Sequence, residues 1–337
     1  MTEWVNRMFD LLGKTVLVCG ASGLLGRPLV DKLMERGAFV IGVGYEQRPN
    51  DWVDGADYRC VDLSDYAEAE FIFDTITIQS VDCVFHLAGA KGGVGIGRQS
   101  AADFMHANIQ STINILTMLD KKRLPRFLFT SSVGAYPGDR NIFVEDQLEA
   151  GPPHESDYFG GYAKRFGEIL CKAYREQYGL DYVVVRPTNC YGPYDRFDPE
   201  TGMVIAALIA RIEAGENPLR VWGDGQARRD FLYSKDCAEY MIRAMERGRS
   251  GEAYNLGTGI ATKLDLMVAA LSLCYPDLKI EFDATKPSGP STRQMDMTKS
   301  RLELNLPEFT SPIDALLETI DWYRANRNYQ KYDPFKK

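Results

Sequence analysis

The chain has 337 residues, 45% of them hydrophobic and 26% charged, which is enough to bury a large core in one large or two moderate domains. Its formal net charge of -8 at pH 7 argues against non-specific nucleic-acid binding, which needs a broad basic surface, but it allows a local basic pocket for a phosphorylated small molecule. The seven cysteines are scattered, the three histidines lie far apart, and no long uncharged apolar stretch occurs. We therefore expect a cytoplasmic protein without a metal site, a disulfide framework or a membrane span.

Short β-branched runs alternate with longer helical patterns in the first half of the chain. The predicted strands are Thr15–Cys19, Phe39–Val43, Tyr58–Val61, Val81–Leu87, Phe127–Thr130 and Tyr182–Arg186. The predicted helices are Leu24–Arg36, Ser64–Ile76, Ala101–Leu119 and Tyr162–Tyr178, the last ending at Gly179. This alternation is typical of crossover helices on a parallel sheet, so we predict a doubly wound α/β domain of the Rossmann type over residues 1–187.

The alternation fades after Pro187 into loops rich in glycine and proline. The helices predicted there are Val204–Ala214, Lys235–Arg247, Leu264–Leu273 and Ile313–Ala325, and the strands are Leu219–Trp222, Ala253–Leu256 and Lys279–Phe282. We expect residues 188–337 to form mainly a smaller α+β domain that covers the ligand crevice of the sheet, with segments that can return to the first domain.

Three glycines, Gly20, Gly23 and Gly26, form a G-x-x-G-x-x-G array between the first predicted strand and the first predicted helix. At such a junction, backbone N–H groups and a helix N-terminus can bind a pyrophosphate. The alternative is a glycine-rich turn that serves only tight packing. Because the array stands at the first strand–helix junction of an alternating α/β chain, we interpret it as a dinucleotide-binding loop.

The residues after the second predicted strand bear on the choice of dinucleotide. Gly44 stands where an acidic side chain would bind the adenosine ribose of NAD, and Arg48 follows closely. A missing carboxylate beside an arginine favours a 2′-phosphate and hence NADP(H), although Glu46 could bind the ribose and select NAD(H). Asp62, after the third strand, could contact the adenine amino group or cap the next helix.

The fifth predicted strand ends in Ser131-Ser132, which would place a hydroxyl at the carboxyl edge of the sheet. A serine pair after a strand is more often only turn chemistry. Together with the glycine array and the segment Tyr162-Ala163-Lys164, the pair becomes informative, because a hydroxyl and a lysine can then meet beside the dinucleotide.

With these motifs the chain resembles, almost from end to end, the extended short-chain dehydrogenase/reductase family that acts on nucleotide sugars. The matching residues are Gly20-x-x-Gly23-x-x-Gly26, Asp62-Leu63, His86-Leu87-Ala88-Gly89, Asn108, Ser131-Ser132, Lys164, Arg186-Pro187-Thr188-Asn189-Cys190-Tyr191-Gly192-Pro193, Trp222-Gly223-Asp224-Gly225, Arg229-Asp230-Phe231 and Tyr254-Asn255-Leu256-Gly257. The resemblance implies that the cofactor is bound by Gly20, Ser22, Gly23, Leu24, Gly26, Arg48, Asp62, Leu63, Ala88, Lys164 and Pro187.

Within the family, Ala90-Lys91-Gly92-Gly93 and Lys286-Pro287-x-Gly289 look most like GDP-fucose synthase, with GDP-mannose 3,5-epimerase next. Both use GDP-sugars. This similarity implies a GDP-sugar substrate bound by Lys91, Ser132, Val133, Asn189, Arg229 and Arg293. The arginines suit bidentate contacts to a diphosphate, although each could instead form a structural ion pair. The resemblance also implies a homodimer that packs through the helix carrying Lys164.

One family position is changed in a way that affects the chemistry. Family members pass through a 4-keto sugar, and a tyrosine four residues before the lysine handles the hydroxyl proton, while serine and lysine polarise and orient. Gly160 stands at that place in this chain. Another tyrosine could take the role, the substrate or a water could relay the proton, or the chain could be impaired. The candidate tyrosines are Tyr136, Tyr158, Tyr162 and Tyr194.

Two further departures narrow the reaction. The cysteine of the family's epimerising members aligns with Val133 or Gly134, and their histidine aligns with Tyr194. Val133-Gly134 also lacks the acidic residue of the 4,6-dehydratases. We therefore predict an NAD(P)-dependent oxidoreductase acting at C4 of a GDP-linked (deoxy)hexose or heptose, without 3,5-epimerase activity, in which Ser132, Lys164 and position Gly160 define the catalytic centre. The alternatives are an epimerase with a retained nicotinamide and a catalytically impaired GDP-sugar-binding form.

Overall fold

The structure is a computed structural model, and it describes residues 9–76, 80–89, 100–119, 124–286, 290–327 and 329. The strands in chain order are β1 Thr15–Cys19, β2 Phe39–Gly44, β3 Asp57–Cys60, β4 Cys83–His86, β5 Arg126–Thr130, β6 Ile142–Phe143, β7 Tyr182–Pro187, β8 Asn189–Tyr191, β9 Leu219–Trp222, β10 Arg228–Tyr233, β11 Ala253–Leu256, β12 Ala261–Lys263, β13 Ile280–Asp283 and β14 Thr292–Met295. The α-helices of the described residues are α1 Gly26–Glu35, α2 Tyr66–Thr75, α3 Ala101–Met118, α4 Tyr158–Tyr178, α5 Val204–Glu213, α6 Ser234–Arg247, α7 Leu264–Cys274, α8 Thr298–Leu304 and α9 Pro312–Ala325.

The largest sheet has seven strands in the order β11-β7-β5-β4-β1-β2-β3, and every pair in it is parallel. The strand order reverses at β1, since β2 and β3 lie on one side of it and β4 and β5 on the other. In sheets of this kind ligands bind at the carboxyl ends of the strands beside the reversal. The arrangement confirms the predicted doubly wound α/β class.

The strands of this sheet are buried on both faces. Val16 and Val18 belong to one apolar cluster, whereas Leu17 and Cys19 belong to another on the opposite face. Side chains alternate along a strand, so a strand covered on both faces must be apolar at every position. The continuous apolar run of β1 in the sequence reflects this double burial.

A second sheet has the order β12-β10-β14-β6, with β8 paired to β10, and a smaller one pairs β13 with β9. Helices α5, α7 and α9 share one apolar cluster with residues of β8, β9 and β10. The chain crosses the predicted domain boundary at residue 188 in both directions. β6 precedes that residue but belongs to the second sheet, and β11 follows it but belongs to the seven-stranded sheet.

Some predicted bounds were wrong. Helix α4 begins at Tyr158, one turn before the predicted Tyr162, and a 3-10 turn at Glu155–Asp157 leads into it. Two consecutive glycines, Gly160 and Gly161, lower helix propensity and concealed this first turn in the sequence. The predicted strands near Tyr58–Val61, Val81–Leu87 and Lys279–Phe282 shift by one residue or shorten. Helix α8 and the strands β6, β8, β10, β12 and β14 were not predicted, since they depend on partners distant in sequence.

Membrane spans and metal clusters are both absent from the described residues. No helix there is long and apolar enough to span a bilayer. No group of three or more histidine, cysteine, aspartate or glutamate side chains in the same part of the chain is arranged to hold a metal ion.

Candidate active site

The glycine loop after β1 packs against the loop after β4. Gly20 has φ +88°, and a Cβ atom there would lie 2.8 Å from the amide nitrogen of Ala88. A Cβ atom at Gly26 would lie 2.0 Å from the carbonyl oxygen of Gly20. Helix α1 starts at Gly26 with no side-chain cap, so the N–H groups of its first turn can receive an anion. The loop therefore fits the pyrophosphate of a dinucleotide.

A carboxylate occupies the ribose end of this loop. The Ser22 hydroxyl donates to Glu46 Oε2 at 2.5 Å. Gly44, at the usual acidic position, has no room for a side chain, because a Cβ atom there would lie 2.4 Å from the Tyr58 hydroxyl oxygen. That hydroxyl donates to the Glu46 carbonyl at 2.8 Å, whereas Arg48 is exposed. The loop thus presents Glu46 in place of an acid at position 44.

The third strand ends in a turn that Asp62 stabilises. Asp62 Oδ1 accepts from the Ser64 amide at 2.8 Å and from the Ser64 hydroxyl at 2.6 Å. The cap of helix α2 is Asp65, whose carboxylate accepts from the Glu68 amide at 3.0 Å. Leu63 is buried. Asp62 therefore organises the loop beside the predicted adenine position and does not itself cap the helix.

Lys164 lies below the carboxyl ends of the central strands. Its Nζ donates to the carbonyl of Thr130, the last residue of β5, at 2.9 Å. A Cβ atom added to Gly89 would lie 3.3 Å from this Nζ, so the backbone after β4 closes over the ammonium. Burial lowers the pKa of Lys164 to about 8, because the charged form is poorly solvated. The site thus holds an amine that titrates close to neutral pH.

Ser132 is the second residue after the strand that Lys164 contacts. Its Oγ accepts from the Gly134 amide at 3.1 Å and caps the short 3-10 turn Val133–Ala135. Ser131, which precedes it, is buried and donates its amide to Val185 of the adjacent strand at 2.8 Å. These contacts hold the predicted serine and lysine at the same edge of the sheet.

The space beside Gly160 is filled by an aromatic ring from α3. A Cβ atom at Gly160 would lie 3.0 Å from Cε1 of Phe104. The neighbouring Gly161 is tighter still, because a Cβ atom there would lie 2.4 Å from the carbonyl oxygen of Gly134. Helix α4 therefore rests directly on the loop that carries Ser132, and Phe104 occupies part of the space into which a tyrosine would project.

The four candidate tyrosines point elsewhere. The buried Tyr136 donates to Asn255 Oδ1 at 2.7 Å, and the Tyr194 hydroxyl donates to Asp51 Oδ2 at 2.9 Å. Tyr158 and Tyr162 stack edge to face with 4.9 Å between their ring centroids. In α4, Tyr162 is two residues before Lys164 and lies on nearly the opposite side of the helix, and Tyr158 is six residues before it and lies about 120° away around the helix. The hydroxyls of Tyr136 and Tyr194 are thus bonded away from Lys164, and the rings of Tyr158 and Tyr162 pack on each other.

The predicted substrate arginines meet in the second sheet. Arg229 of β10 and Arg293 of β14 are register partners, and Arg293 forms an ion pair with Asp157 at the start of α4. Burial and the neighbouring Arg293 lower the pKa of Arg229 to about 10. Asn189 instead donates its side-chain amide to the carbonyl of Asp230 at 3.0 Å.

Two of the other predicted ligand-binding residues lie within the described residues, and one does not. Val133 is buried, and Pro187 ends β7. Lys91 lies outside the described residues. The sequence interpretation missed Phe104 and Asp157. Asp157 had one available signal, because it precedes Lys164 by two helical turns and thus shares its face, whereas Phe104 had none.

The sequence profile of the NAD dependent epimerase/dehydratase family matches residues 16–257. The chain belongs to this family. The match confirms the resemblance to extended short-chain dehydrogenases/reductases, and the protein is an enzyme of the nucleotide-sugar reductase and epimerase kind.

Relatives in this family align with almost the whole chain. It is 29% identical over 325 residues to a dTDP-4-dehydro-6-deoxy-D-allose reductase of Streptomyces sp, spanning 94% of this chain and 98% of that one. It is 30% identical over 330 residues to GDP-L-fucose synthase 1 of Arabidopsis thaliana, spanning 96% of each.

Solved structures of the family have the same fold. UDP-glucose 4-epimerase of Thermotoga maritima, solved with UDP-glucose, has a TM-score of 0.79 at 29% identity and covers 93% of this chain and 99% of its own. A GDP-L-fucose synthetase of Naegleria fowleri, solved with NADP, has a TM-score of 0.82 at 22% identity and covers 97% and 99%.

Proposed function

We propose that this family member is an NAD(P)-dependent oxidoreductase that acts at C4 of a GDP-linked (deoxy)hexose or heptose and has no 3,5-epimerase activity. The observation that carries the proposal is the meeting of Ser132 and Lys164 at the carboxyl edge of the sheet, beside a loop that fits a dinucleotide. The name of one relative agrees with chemistry at this carbon, since that protein is a reductase of a 4-dehydro sugar.

Each residue has a physical task in this proposal. A nicotinamide held by the glycine loop would supply or accept a hydride at C4, and with Gly160 in place of a tyrosine the proton on the C4 oxygen would be exchanged through a water or a hydroxyl of the substrate. The Ser132 hydroxyl binds the oxygen on C4, and the Lys164 ammonium stabilises negative charge that develops there. The bond from Lys164 to the Thr130 carbonyl aligns the two groups, because Thr130 is two residues from the serine.

Two features support the exclusion of 3,5-epimerisation. Removing a proton from the carbon next to a ketone needs an acid–base side chain at the sugar, and positions 133 and 134 offer only valine and glycine. Tyr194, which replaces the family's histidine, has its hydroxyl bonded to Asp51 and Arg27. The carboxylate of Asp157 lies beside Gly134, and it is paired with Arg293.

The nucleotide and the cofactor form part of the proposal. The GDP assignment rests on the motifs at Lys91 and Lys286 and on the fucose-synthase relatives, whereas the Streptomyces relatives use dTDP-sugars by name. Arg48 and the absent acid at Gly44 support NADP(H), and the carboxylate of Glu46 against Ser22 supports NAD(H). We propose NADP(H) as the preferred form.

A homodimer is also proposed, on the exposed apolar side chains of α4. Tyr158, Phe166 and Ile169 are 45%, 37% and 58% exposed and follow one another at helical spacing on the side away from Lys164. Burial of these side chains against a second copy of the chain would stabilise the dimer. Light scattering of the purified protein should give twice the chain mass.

A second function is favoured by a specific observation, the ring of Phe104 beside Gly160. With no phenol at this position the protein could bind its ligands and catalyse little, as a catalytically impaired form. General acid–base catalysis contributes on the order of 10²–10⁴ in rate, so its loss would leave binding largely intact. An epimerase that keeps its nicotinamide through oxidation and re-reduction is the third reading.

One experiment separates these readings. The purified protein is mixed with NADPH or NADH and a GDP-linked 4-keto-6-deoxyhexose, and in parallel with the dTDP-linked sugar, while absorbance at the reduced-nicotinamide band is followed. Consumption that depends on the GDP-sugar supports the proposal, and mass spectrometry should then show a product two hydrogens heavier. Turnover without added cofactor would indicate the epimerase, and tight binding without turnover the impaired form.

A further inference from the structure

A cavity of about 220 Å³ lies beside the second sheet, apart from the candidate active site. It is bounded by β8, β10 and β12, by the first turns of α6 and α7, and by the loop that joins α8 to α9. None of the residues that line it belongs to the glycine loop, to the end of β5 or to helix α4. A cavity of about 150 Å³ holds a benzene molecule, so this one has room for a somewhat larger ligand.

Four aromatic side chains line this cavity. Tyr191 and Tyr233 are register partners on β8 and β10, and Phe231 precedes Tyr233 by two residues on the same strand. Because side chains alternate along a strand, all three lie on one face of the strand pair. The two tyrosine rings have centroids 6.0 Å apart and are inclined at 49°, so they are not stacked on each other. The fourth ring is that of Phe309, from the loop between α8 and α9.

Of the described residues that line the cavity, Asp236 alone is charged. Its Oδ2 accepts from the Thr310 amide at 2.8 Å, and its Oδ1 accepts from the Thr310 hydroxyl at 2.9 Å. The carboxylate forms no ion pair with another described residue. Burial raises the pKa of Asp236, because its neighbours, among them Lys32, do not fully compensate the loss of water. A cation in the cavity would supply the missing compensation.

The hydroxyl of Tyr191 is a second polar group at this cavity. Tyr191 is only 4% exposed, yet its hydroxyl has no hydrogen-bond partner in the described part of the chain. Burial and then the charge of Asp236 raise the pKa of Tyr191, so the phenol lies close enough to the carboxylate to interact with it. Buried hydroxyl groups normally form hydrogen bonds. A polar group of a ligand in the cavity would satisfy this one.

We propose that this cavity binds a small organic ammonium ion. An ammonium group that carries alkyl substituents is attracted by the negative faces of aromatic rings and by a carboxylate, and its alkyl groups suit apolar walls such as that of Met267. An anion would be repelled by Asp236, and a metal ion would need oxygen ligands that the rings do not supply. The site goes beyond the proposed function, because it uses neither the dinucleotide loop nor Ser132 and Lys164.

Choline is a suitable probe, because it combines a trimethylammonium group with a hydroxyl. The compound 3,3-dimethylbutan-1-ol has the same shape without the charge. Broadening of the methyl-proton NMR signal of each compound by the full chain measures its binding. Choline should bind at millimolar concentrations, and the uncharged compound at least about tenfold more weakly, since only choline is attracted by the rings and by the carboxylate.

Two substitutions test the location of the bound choline. Asp236→Asn removes the charge but keeps an oxygen for the Thr310 amide, and Phe309→Leu removes one ring from a partly exposed position. Each should weaken choline binding about tenfold. Phe309→Tyr retains a ring and should bind choline as the natural protein does. Glu308→Gln removes a charge from an exposed residue that does not line the cavity, so it is the control and should have no effect.

Equal binding of choline and of its uncharged counterpart would overturn the proposal, because the cavity would then select an apolar shape alone. Absence of choline binding at millimolar concentrations would overturn it too. Binding that Asp236→Asn and Phe309→Leu both leave unchanged would place choline elsewhere and have the same consequence. The comparison of the two compounds uses the natural protein, so it tests the preference for an ammonium group even if a variant fails to fold. None of these measurements depends on turnover of a nucleotide sugar.

Discussion

Replacement of Lys164 by methionine should stabilise the folded protein relative to the natural chain at neutral pH, to an extent that depends on pH. The substitution removes the ammonium and keeps an unbranched side chain of similar length. In the fold, the pKa of Lys164 is lowered from 10.5 to about 8, mainly because burial penalises the charged form. The charge therefore costs folding free energy whenever the lysine is protonated.

The magnitude follows from the shift. A pKa that falls from 10.5 to about 8 corresponds to about 3 kcal/mol against the charged form. Partial solvent contact of the side chain reduces this to about 2 kcal/mol. The loss of the hydrogen bond to Thr130 offsets about 1 kcal/mol of the gain in the variant, but this bond is available to the neutral amine as well and so depends little on pH.

The sign is set by proton linkage. Between pH 8 and 10.5 the unfolded chain holds a proton on Lys164 that the folded chain has released, so the stability of the natural protein rises with pH in this window. The free energy of unfolding of the natural protein should therefore rise by about 2 kcal/mol relative to that of Lys164→Met between pH 7 and pH 10. Below pH 8 the penalty is fully present.

Urea unfolding followed by tryptophan fluorescence at several pH values measures this difference, because titrations common to both proteins cancel. Lys172→Met, an exposed lysine on the same helix, is the control and should show no change with pH. A stability difference for Lys164→Met that stays constant from pH 7 to pH 10 would refute the reasoning. The variant should also lose turnover. The same buried ammonium would then both destabilise the fold and be needed for catalysis.

Three other changes have expected results. Glu46→Gln removes the carboxylate beside the phosphate loop and should raise the ratio of kcat/KM for NADPH to that for NADH about tenfold in steady-state assays, and an unchanged ratio would contradict a role in cofactor choice. Gly161→Ala should destabilise the protein by about 1–3 kcal/mol in thermal unfolding, since its Cβ meets backbone, whereas Gly160→Ala should be nearly neutral. The double variant Gly160→Tyr, Phe104→Ala should raise turnover on the order of 10²-fold, and Gly160→Tyr alone should raise it less, because Phe104 then still fills the space. Phe104→Ala alone is the control. Equal turnover in all three variants would mean that a phenol at position 160 is not needed.

The sequence predicted the large sheet well because its signals are local. The apolar runs of β1 and β4 record burial on both faces, and the glycines between β1 and α1 record a turn that excludes Cβ atoms. The same kind of signal identified Ser132 and Lys164, which follow or flank predictable elements. These features depend on a few consecutive residues, so they can be read before the chain is folded.

The second sheet could not be read in this way. Its strands β6, β8 and β14 have two to four residues, too few for a periodic pattern, and each is stabilised by a partner far along the chain. The early start of α4 was hidden for a related reason. Gly161 is unfavourable for a helix by itself, but it lets the helix approach the loop at Gly134.

The sequence alone thus determined the fold class, the glycine-rich loop after the first strand, the candidate serine and lysine, and the absence of a tyrosine at position 160. Only the tertiary structure decided what surrounds these groups: Phe104 beside Gly160, the Glu46 carboxylate against Ser22, and Asp157 paired with Arg293. The physical reason is that backbone conformation and burial leave periodic marks on neighbouring residues. A contact between side chains of separate elements leaves no such mark, because it depends on how those elements pack.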